Sequence, residues 1–347
     1  MSKSDASKNV DASKNVLSRA KKNPWITILS RSSHIYRIPE VGNAFVEMVD
    51  QALFERRFDN AIRHSVVFEK WAENDDRFRL KAKGAFGAVL MISGKLTMAE
   101  REIAGAYDEA LGTGNNGIIG ECQRRLGMLY WYQHRFKDSI QTYTQSMHRF
   151  EEDGDAAGVV INLINRGIVR WKLGDYQKAL SDEERGISLL DEEMPFFYLI
   201  AANVNVAAIL TSSGESELAL KKIEEAQNMT QGKEGMERAR LLLRWIRALL
   251  LENEGNLKNA SEMLDRVERR LVMLDMDVER RVLLADSARV ARNPSKIIRI
   301  AQKAKDLETS HQLKTIISAV IRNPTQENIQ KWRQSLDAYI PPFPATA

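Results

Sequence analysis

INLINRGIVRWKLGDYQKALSDEERGISLL, residues Ile161–Leu190, reads as two helices joined by a tight turn. Leu173-Gly174-Asp175 breaks the first helix and Tyr176 opens the second. Gly167 is small where two paired helices press closest. Ala179, Glu183, Gly186 and Ile187 recur at helical spacing, with Glu183 a polar intruder in that stripe. The same frame stands about forty residues earlier, at Gly127, Tyr130, Phe136, Ser139 and Tyr143, and about forty later, at Ala207, Leu210, Gly214, Ala219 and Ile223. A fixed period of that size predicts a stacked array of helical hairpins.

The turns carry the frame along the chain. Breaks fall at Arg56, Gly94, His134, Gly174, Gly214 and Gly255, spaced 38, 40, 40, 40 and 41 residues apart. A small residue follows five positions later, as Ala61, Ala99, Ser139, Ala179, Ala219 and Ala260. Glycine recurs because a helix end favours a residue free to adopt positive φ. No proline occurs from Val41 to Met194, as uninterrupted helices require. A seventh frame, at Arg292-Asn293-Pro294, lacks the glycine. Helices at 310–322 and 326–338 are expected after it, with Trp332 closing the apolar end of the stack.

The skeleton Gly167, Gly174, Tyr176, Ala179, with Gly127, Tyr130, Phe136 and Tyr143 before it, resembles the tetratricopeptide repeat. The family's usual repeat is about 34 residues; the longer period here is similar to that of kinesin light chains and MalT-type bacterial regulators. The resemblance implies an all-α fold: a right-handed α-solenoid of about seven hairpins over residues 39–308. Residues 1–38 are expected to form a basic, partly disordered segment, and residues 309–347 capping helices and a proline-rich tail.

Hydrophobic residues make up 44% of the 347 and charged residues 28%, the balance of a folded chain. Residues 1–38 carry eight Lys or Arg against Asp5 and Asp11, so the remainder of a chain with net charge +4 sums to −2. A nearly neutral repeat body argues against a nucleic-acid partner, which would need a basic face over many repeats. The N-terminal segment is too short and polar for a helix-turn-helix. No uninterrupted apolar run reaches the length of a membrane span, and no apolar core follows the basic N-terminus as a secretory signal would require. Cys122 is the single cysteine, which excludes an internal disulfide and suits a reducing cytoplasm.

Chemistry is sparse. GTGNNG at Gly112–Gly117 matches a dinucleotide-binding pattern by letter, but that mechanism needs a preceding strand. Here the stretch follows a helical run and reads as a helix stop. The histidines, at 34, 64, 134, 148 and 311, lack metal-ligand spacing, and His134 stands where other repeats have glycine. No nucleophile elbow or phosphate loop is present. These residues predict no enzyme activity, no metal and no cofactor.

What remains is a binding surface for a protein or peptide partner. By the resemblance, the first helix of each pair lines the inner face. The family's ligand-contact positions map onto Arg124, Met128, Trp131 and Tyr132, then Ile164, Ile168, Trp171 and Lys172. They continue at Val204, Ala208, Thr211 and Ser212, and at Trp245, Leu249 and Glu252. Trp131 and Trp171 stand one repeat apart and are expected to point the same way, either as a shared anchor or as filler between hairpins. The clamp by which some family members hold a chaperone's C-terminal carboxylate does not fall at the right positions. Asn165 and Asn205 occupy equivalent places, suited to a peptide ladder or to local backbone bonds. Arg240, Arg244 and Arg247 form a stripe that could meet an acidic partner or simply be solvated. The sequence thus points to a non-catalytic scaffold or adaptor. Its alternative is a signalling regulator that senses a peptide or small ligand in the groove.

Overall fold

The structure, a computed structural model, describes residues 39–336 apart from Arg56, Asn74, Ser93, Gly94 and Thr309. The expectations for the basic N-terminal segment and the proline-rich tail lie outside the described residues. Among these residues there are sixteen helices in eight consecutive hairpins. In chain order they are α1 (Pro39–Phe54), α2 (Phe58–Ala72), α3 (Asp76–Ile92), α4 (Leu96–Leu111), α5 (Asn116–Tyr132), α6 (Phe136–Asp153), α7 (Ala156–Lys172) and α8 (Tyr176–Ser188). Then come α9 (Phe196–Ser213), α10 (Ser216–Thr230), α11 (Glu237–Asn253), α12 (Leu257–Met273), α13 (Asp277–Val290), α14 (Pro294–Leu307), α15 (His311–Arg322) and α16 (Gln326–Ser335). The fold is an all-α repeat array, with a pair of helices after the seventh hairpin.

The hairpins share one turn. The N–H of Arg135 donates to the Tyr130 carbonyl at 2.8 Å, and the equivalent bonds run from Asp175 to Arg170, Glu215 to Leu210 and Asn256 to Leu251 at 2.8–3.0 Å. The residue before each donor must be left-handed to close that ring. Gly174, Gly214 and Gly255 take φ of 80°, 85° and 76°, and His134 takes 59°. A non-glycine residue there costs about 1 kcal/mol or more, so His134 caps a helix at some expense in stability.

The small residue five positions past each break is fully buried in all six frames, from Ala61 to Ala260. It lies where the second helix crosses the first. In the third hairpin Ser139 fills it and donates to the Gly127 carbonyl at 2.8 Å, satisfying its hydroxyl inside the core. A Cβ on Gly127 would sit 2.9 Å from the Tyr143 ring, so the glycine is needed for that approach. In the seventh frame Ile297 takes the small residue's place and is buried.

GTGNNG is a linker. α4 ends at Leu111, Gly114 turns the chain at φ 63°, and the Asn115 side chain caps α5 by accepting from the Ile118 N–H at 2.9 Å. α9 refines the membrane expectation. Its 18 residues reach a mean hydropathy of 1.5, long and apolar enough to cross a membrane, yet 78% of them are buried within the fold. Asn203 and Asn205, both buried, interrupt the apolar run, and an all-round apolar helix is what the interior of a large helical protein uses.

The chain divides into two compact units. The first holds residues 39–169 with Ser188–Tyr198; the second holds Arg170–Ile187 and residues 199–336. In the first, each helix packs on the next from α1 to α6, and α1, α3 and α5 also stack in series. Its core joins Phe45, Phe68 and Phe78 to Leu126, Met128 and Trp131. In the second unit α10 through α16 pack in succession, and α13 also meets α16. Trp332 is fully buried there among Leu284, Ile297, Ile317 and Ile329.

Candidate functional site

The second unit carries a cleft of about 500 Å³. Its walls come from the first helices of successive hairpins: Trp171 and Lys172 of α7, Val204, Ala208, Thr211 and Ser212 of α9, Leu242, Trp245, Ile246 and Leu249 of α11, and Asp286 and Arg289 of α13. Tyr176 adds one edge, and Gln330, Arg333 and Gln334 of α16 another. First helices line it because each repeat turns the same face inward, so residues about forty apart share a wall.

Trp171 is half-buried and donates through Nε1 to Ser212 Oγ at 3.0 Å, a bond one repeat long. The Lys172 ammonium lies 5.1 Å from the Trp171 ring centroid, within cation–π range. The Ser212 hydroxyl in turn donates to the Ala208 carbonyl at 2.9 Å. Thr211 is buried and bonds back to Ala207 at 2.8 Å, which leaves its methyl to the wall. Trp245 forms a buried floor, its Nε1 donating to Asp286 Oδ2 at 2.9 Å.

Asp286 is the electrostatic centre of the cleft. It also accepts from Arg333 Nε at 2.7 Å and from Arg289 Nη2 at 3.4 Å. Burial pushes its carboxyl up, but Arg333 and Arg289 outweigh burial and hold it below the ordinary range. Behind it Glu252 receives Arg289 Nη1 at 2.5 Å; burial raises the Glu252 carboxyl, against the pull of Arg289.

The sequence-derived contact positions thus fall into two sets. Trp171, Lys172, Thr211 and Trp245 come together in this cleft, with Val204, Ala208, Ser212 and Leu249 beside them. Met128, Trp131 and Ile168 are buried in the core of the first unit, and Tyr132 packs half-buried against it. Trp131 is 4% exposed and packs on Phe136 at 5.3 Å between ring centroids, so it is the filler of the two readings. The expectation that Trp131 and Trp171 share one surface is corrected accordingly: Phe136 offers Trp131 an aromatic partner, whereas Trp171 has a serine.

Arg124 lines a separate cavity of about 110 Å³ in the first unit. It is fully buried, with Nε on Glu121 at 2.8 Å and Nη2 3.3 Å from Asp50. Arg125 completes the cluster, 2.9 Å from Glu121 and 2.8 Å from Asp50. Burial alone would raise the Glu121 carboxyl; Arg124 and Arg125 bring it down to about 2.

Other sequence candidates resolve locally. Asn205 donates to Glu183 at 2.9 Å. Arg240 is tied to Glu237 and to the Thr230 and Lys233 carbonyls, and Arg247 lies 3.7 Å from Glu224. Cys122 is buried, and burial pushes its thiol up to about 12. Among the described residues no group of three His, Cys, Asp or Glu could hold a metal ion.

Asp286, Arg289 and Arg333 were missed in the sequence reading. Two charges three residues apart inside the apolar stretch VLLADSARV were the available signal. Arg333 offered none, because only the packing of α16 on α13 brings it there.

Stacked hairpins, a repeated Schellman turn and a cleft lined by first helices define an α-helical repeat protein. Residues 122–192 match the tetratricopeptide repeat family, so the chain carries tetratricopeptide repeats over that stretch within its helical array. A comparison with curated proteins finds no match. Among solved structures, the chain is similar to a Rap protein complexed with Competence and Sporulation Factor, at 14% identity and TM-score 0.54 over 89% of this chain and 79% of that one. It is also similar to a tetratricopeptide repeat protein from Parabacteroides merdae ATCC 43184, at 13% identity and TM-score 0.50, covering 81% and 97%. A kinesin light chain-like repeat structure from Podospora anserina aligns at 14% identity and TM-score 0.46, covering 57% and 97%.

Proposed function

We propose that the protein is a non-catalytic scaffold or adaptor that holds a protein or peptide segment in the cleft of its second unit. The observation that carries this reading is the convergence of Trp171, Lys172, Thr211 and Trp245 on one concave surface of about 500 Å³. An apolar floor with a few polar groups at its edge is the composition of a ligand site, and tryptophan and arginine are the residues that most often anchor a partner. A protein of similar fold solved with a bound factor accords with the reading. The single, buried Cys122 fits a cytoplasmic setting.

Affinity capture with the wild-type chain, compared with Trp171→Ala and Leu249→Asp, tests it. The expected result is a partner retained by the wild type and lost from both variants while their melting stays close to wild type. An identical set of captured proteins from all three chains would remove the cleft from the function.

A further inference from the structure

We infer that a hydrogen-bonded seam at the ends of the first helices sets the step between successive hairpins of the second unit, and that Asn253 and Glu252, which do not line the cleft, are positioning residues for its walls. The inference rests on reading the cleft as the binding site and says what holds that site in shape.

The seam occupies one register. The residues three and two places before each break are Trp171 and Lys172, Thr211 and Ser212, and Glu252 and Asn253. Successive residues on a helix point about 100° apart, so of two neighbours at a helix end one can face the preceding hairpin and the other the following one. The bonds follow that division. Trp171 Nε1 of α7 donates to Ser212 Oγ of α9 at 3.0 Å, and Asn253 Nδ2 of α11 donates to the Thr211 carbonyl of α9 at 2.9 Å. Glu252, beside Asn253, turns the other way and accepts from Arg289 Nη1 of α13 at 2.5 Å. Arg289 and Arg333 then meet at Asp286, which joins α13 to α16. From α7 through α9, α11 and α13 to α16, each step carries a side-chain bond.

The first unit fills the same register with Leu53 and Phe54, Met91 and Ile92, and Trp131 and Tyr132, apolar or aromatic throughout. Apolar packing has no preferred direction, whereas a hydrogen bond fixes a distance and an angle. The Thr211 carbonyl shows what that adds. It is among the last four of α9, which have no partner within their own helix, and Asn253 supplies one from the next hairpin. Asn253 thereby ties α11 to α9 one residue away from the serine that orients Trp171. Displacement at this tie reaches the cleft, because Trp171, Thr211 and Ser212 form part of its wall. Asn253 itself is exposed, so replacing it alters the seam without opening the core.

Breaking the seam at Asn253 and reading it at Trp171, two repeats away, tests the inference. Asn253→Leu removes the amide at similar volume. In the full-length ¹⁵N-labelled chain the Trp171 indole N–H signal should move and its hydrogen exchange quicken about threefold, while the Trp131 indole signal of the first unit stays in place. Glu252→Leu cuts the next tie and should move the Trp171 signal too. The neutral probe N-acetylphenylalaninamide should bind the wild-type cleft against Trp245 and Leu249, and bind Asn253→Leu about twofold more weakly. A Trp171 signal unmoved in both variants would overturn the seam, since each bond would then be local, and would leave the cleft reading intact. Equal movement of the Trp131 signal would also overturn it, as a general loosening of the fold. A probe that shifts neither the Trp171 nor the Trp245 signal of the wild type would overturn the cleft reading and the positioning role with it, and the exchange of Trp171 in the variants would still decide whether the seam exists.

Discussion

Each unit of this protein buries acids and arginines together, and the two clusters are built to opposite ends. In the first unit Asp50, Glu121, Arg124 and Arg125 close on one another, all under 10% exposed. In the second, Asp286 is just as buried, but its partners Arg289 and Arg333 are partly exposed, at 30% and 17%, and line a cleft. Every member of the first cluster is held inside the fold, although Glu121 and Arg124 border a small cavity; in the second the arginines keep part of their surface at the cleft. Buried charge by itself therefore says little about function. What decides is whether the partners of the buried acid reach solvent.

The sharpest way to break this comparison is to remove one arginine from the first cluster. Arg125→Met leaves two buried acids facing Arg124 alone and should cost about 3–5 kcal/mol in chemical denaturation. A loss below 1 kcal/mol would show that the cluster is already hydrated. The tryptophans one repeat apart test the same contrast in apolar surface. Trp131→Ala should cost about 3–5 kcal/mol, whereas Trp171→Ala, half-buried at the cleft, should cost nearer 1 kcal/mol. Equal losses would erase the distinction between core and cleft.

Acid titration sharpens the comparison further, because the units also treat single carboxylates differently. Glu121 is held ionised, but Glu183, fully buried with Asn205 donating to it, is pushed well above the usual 4.5 by burial. The folded protein keeps the Glu183 proton that the unfolded chain has lost. Its contribution to stability is therefore present below about pH 4.5 and is lost as pH rises toward the folded value, at up to about 1.4 kcal/mol per pH unit. Glu183→Gln, which retains the acceptor for Asn205, should match wild type near pH 4.5 and become progressively more stable by comparison as pH rises. A constant difference across the titration would mean that Glu183 is ionised in the fold.

The smallest effect belongs to the second cluster. Arg333→Gln removes one of three donors to Asp286, and Arg289 and Trp245 remain, so the loss should be about 1 kcal/mol in thermal or chemical melting. A loss as large as that of Arg125→Met would make the second cluster as structural as the first.

Much of this was legible beforehand for a physical reason. A left-handed helix end admits few residues, so Gly174, Gly214 and Gly255 mark it in the sequence, and His134 betrays itself by standing in register with them. The close crossing of paired helices admits only small side chains, so Ala61 through Ala260 mark that too. The site was half legible. Positions on the first helices gave Trp171, Lys172, Thr211 and Trp245, but the same rule gave Met128, Trp131 and Ile168, which the first unit buries. Repeat register says which way a side chain faces; it does not say whether that face is covered.

The sequence by itself determined the hairpins, their period and their turns, because each depends on residues within about forty positions of one another and on local backbone preferences. Only the tertiary structure decided which inner face stayed open. The packing of α16 on α13 places Arg333 beside Asp286, 47 residues away, and gives the cleft its charged edge. That contact rests on side-chain fit between distant helices, for which no local pattern exists. The same physics buried Arg124: its partner Asp50 stands 74 residues earlier in the chain, and no periodicity connects the two.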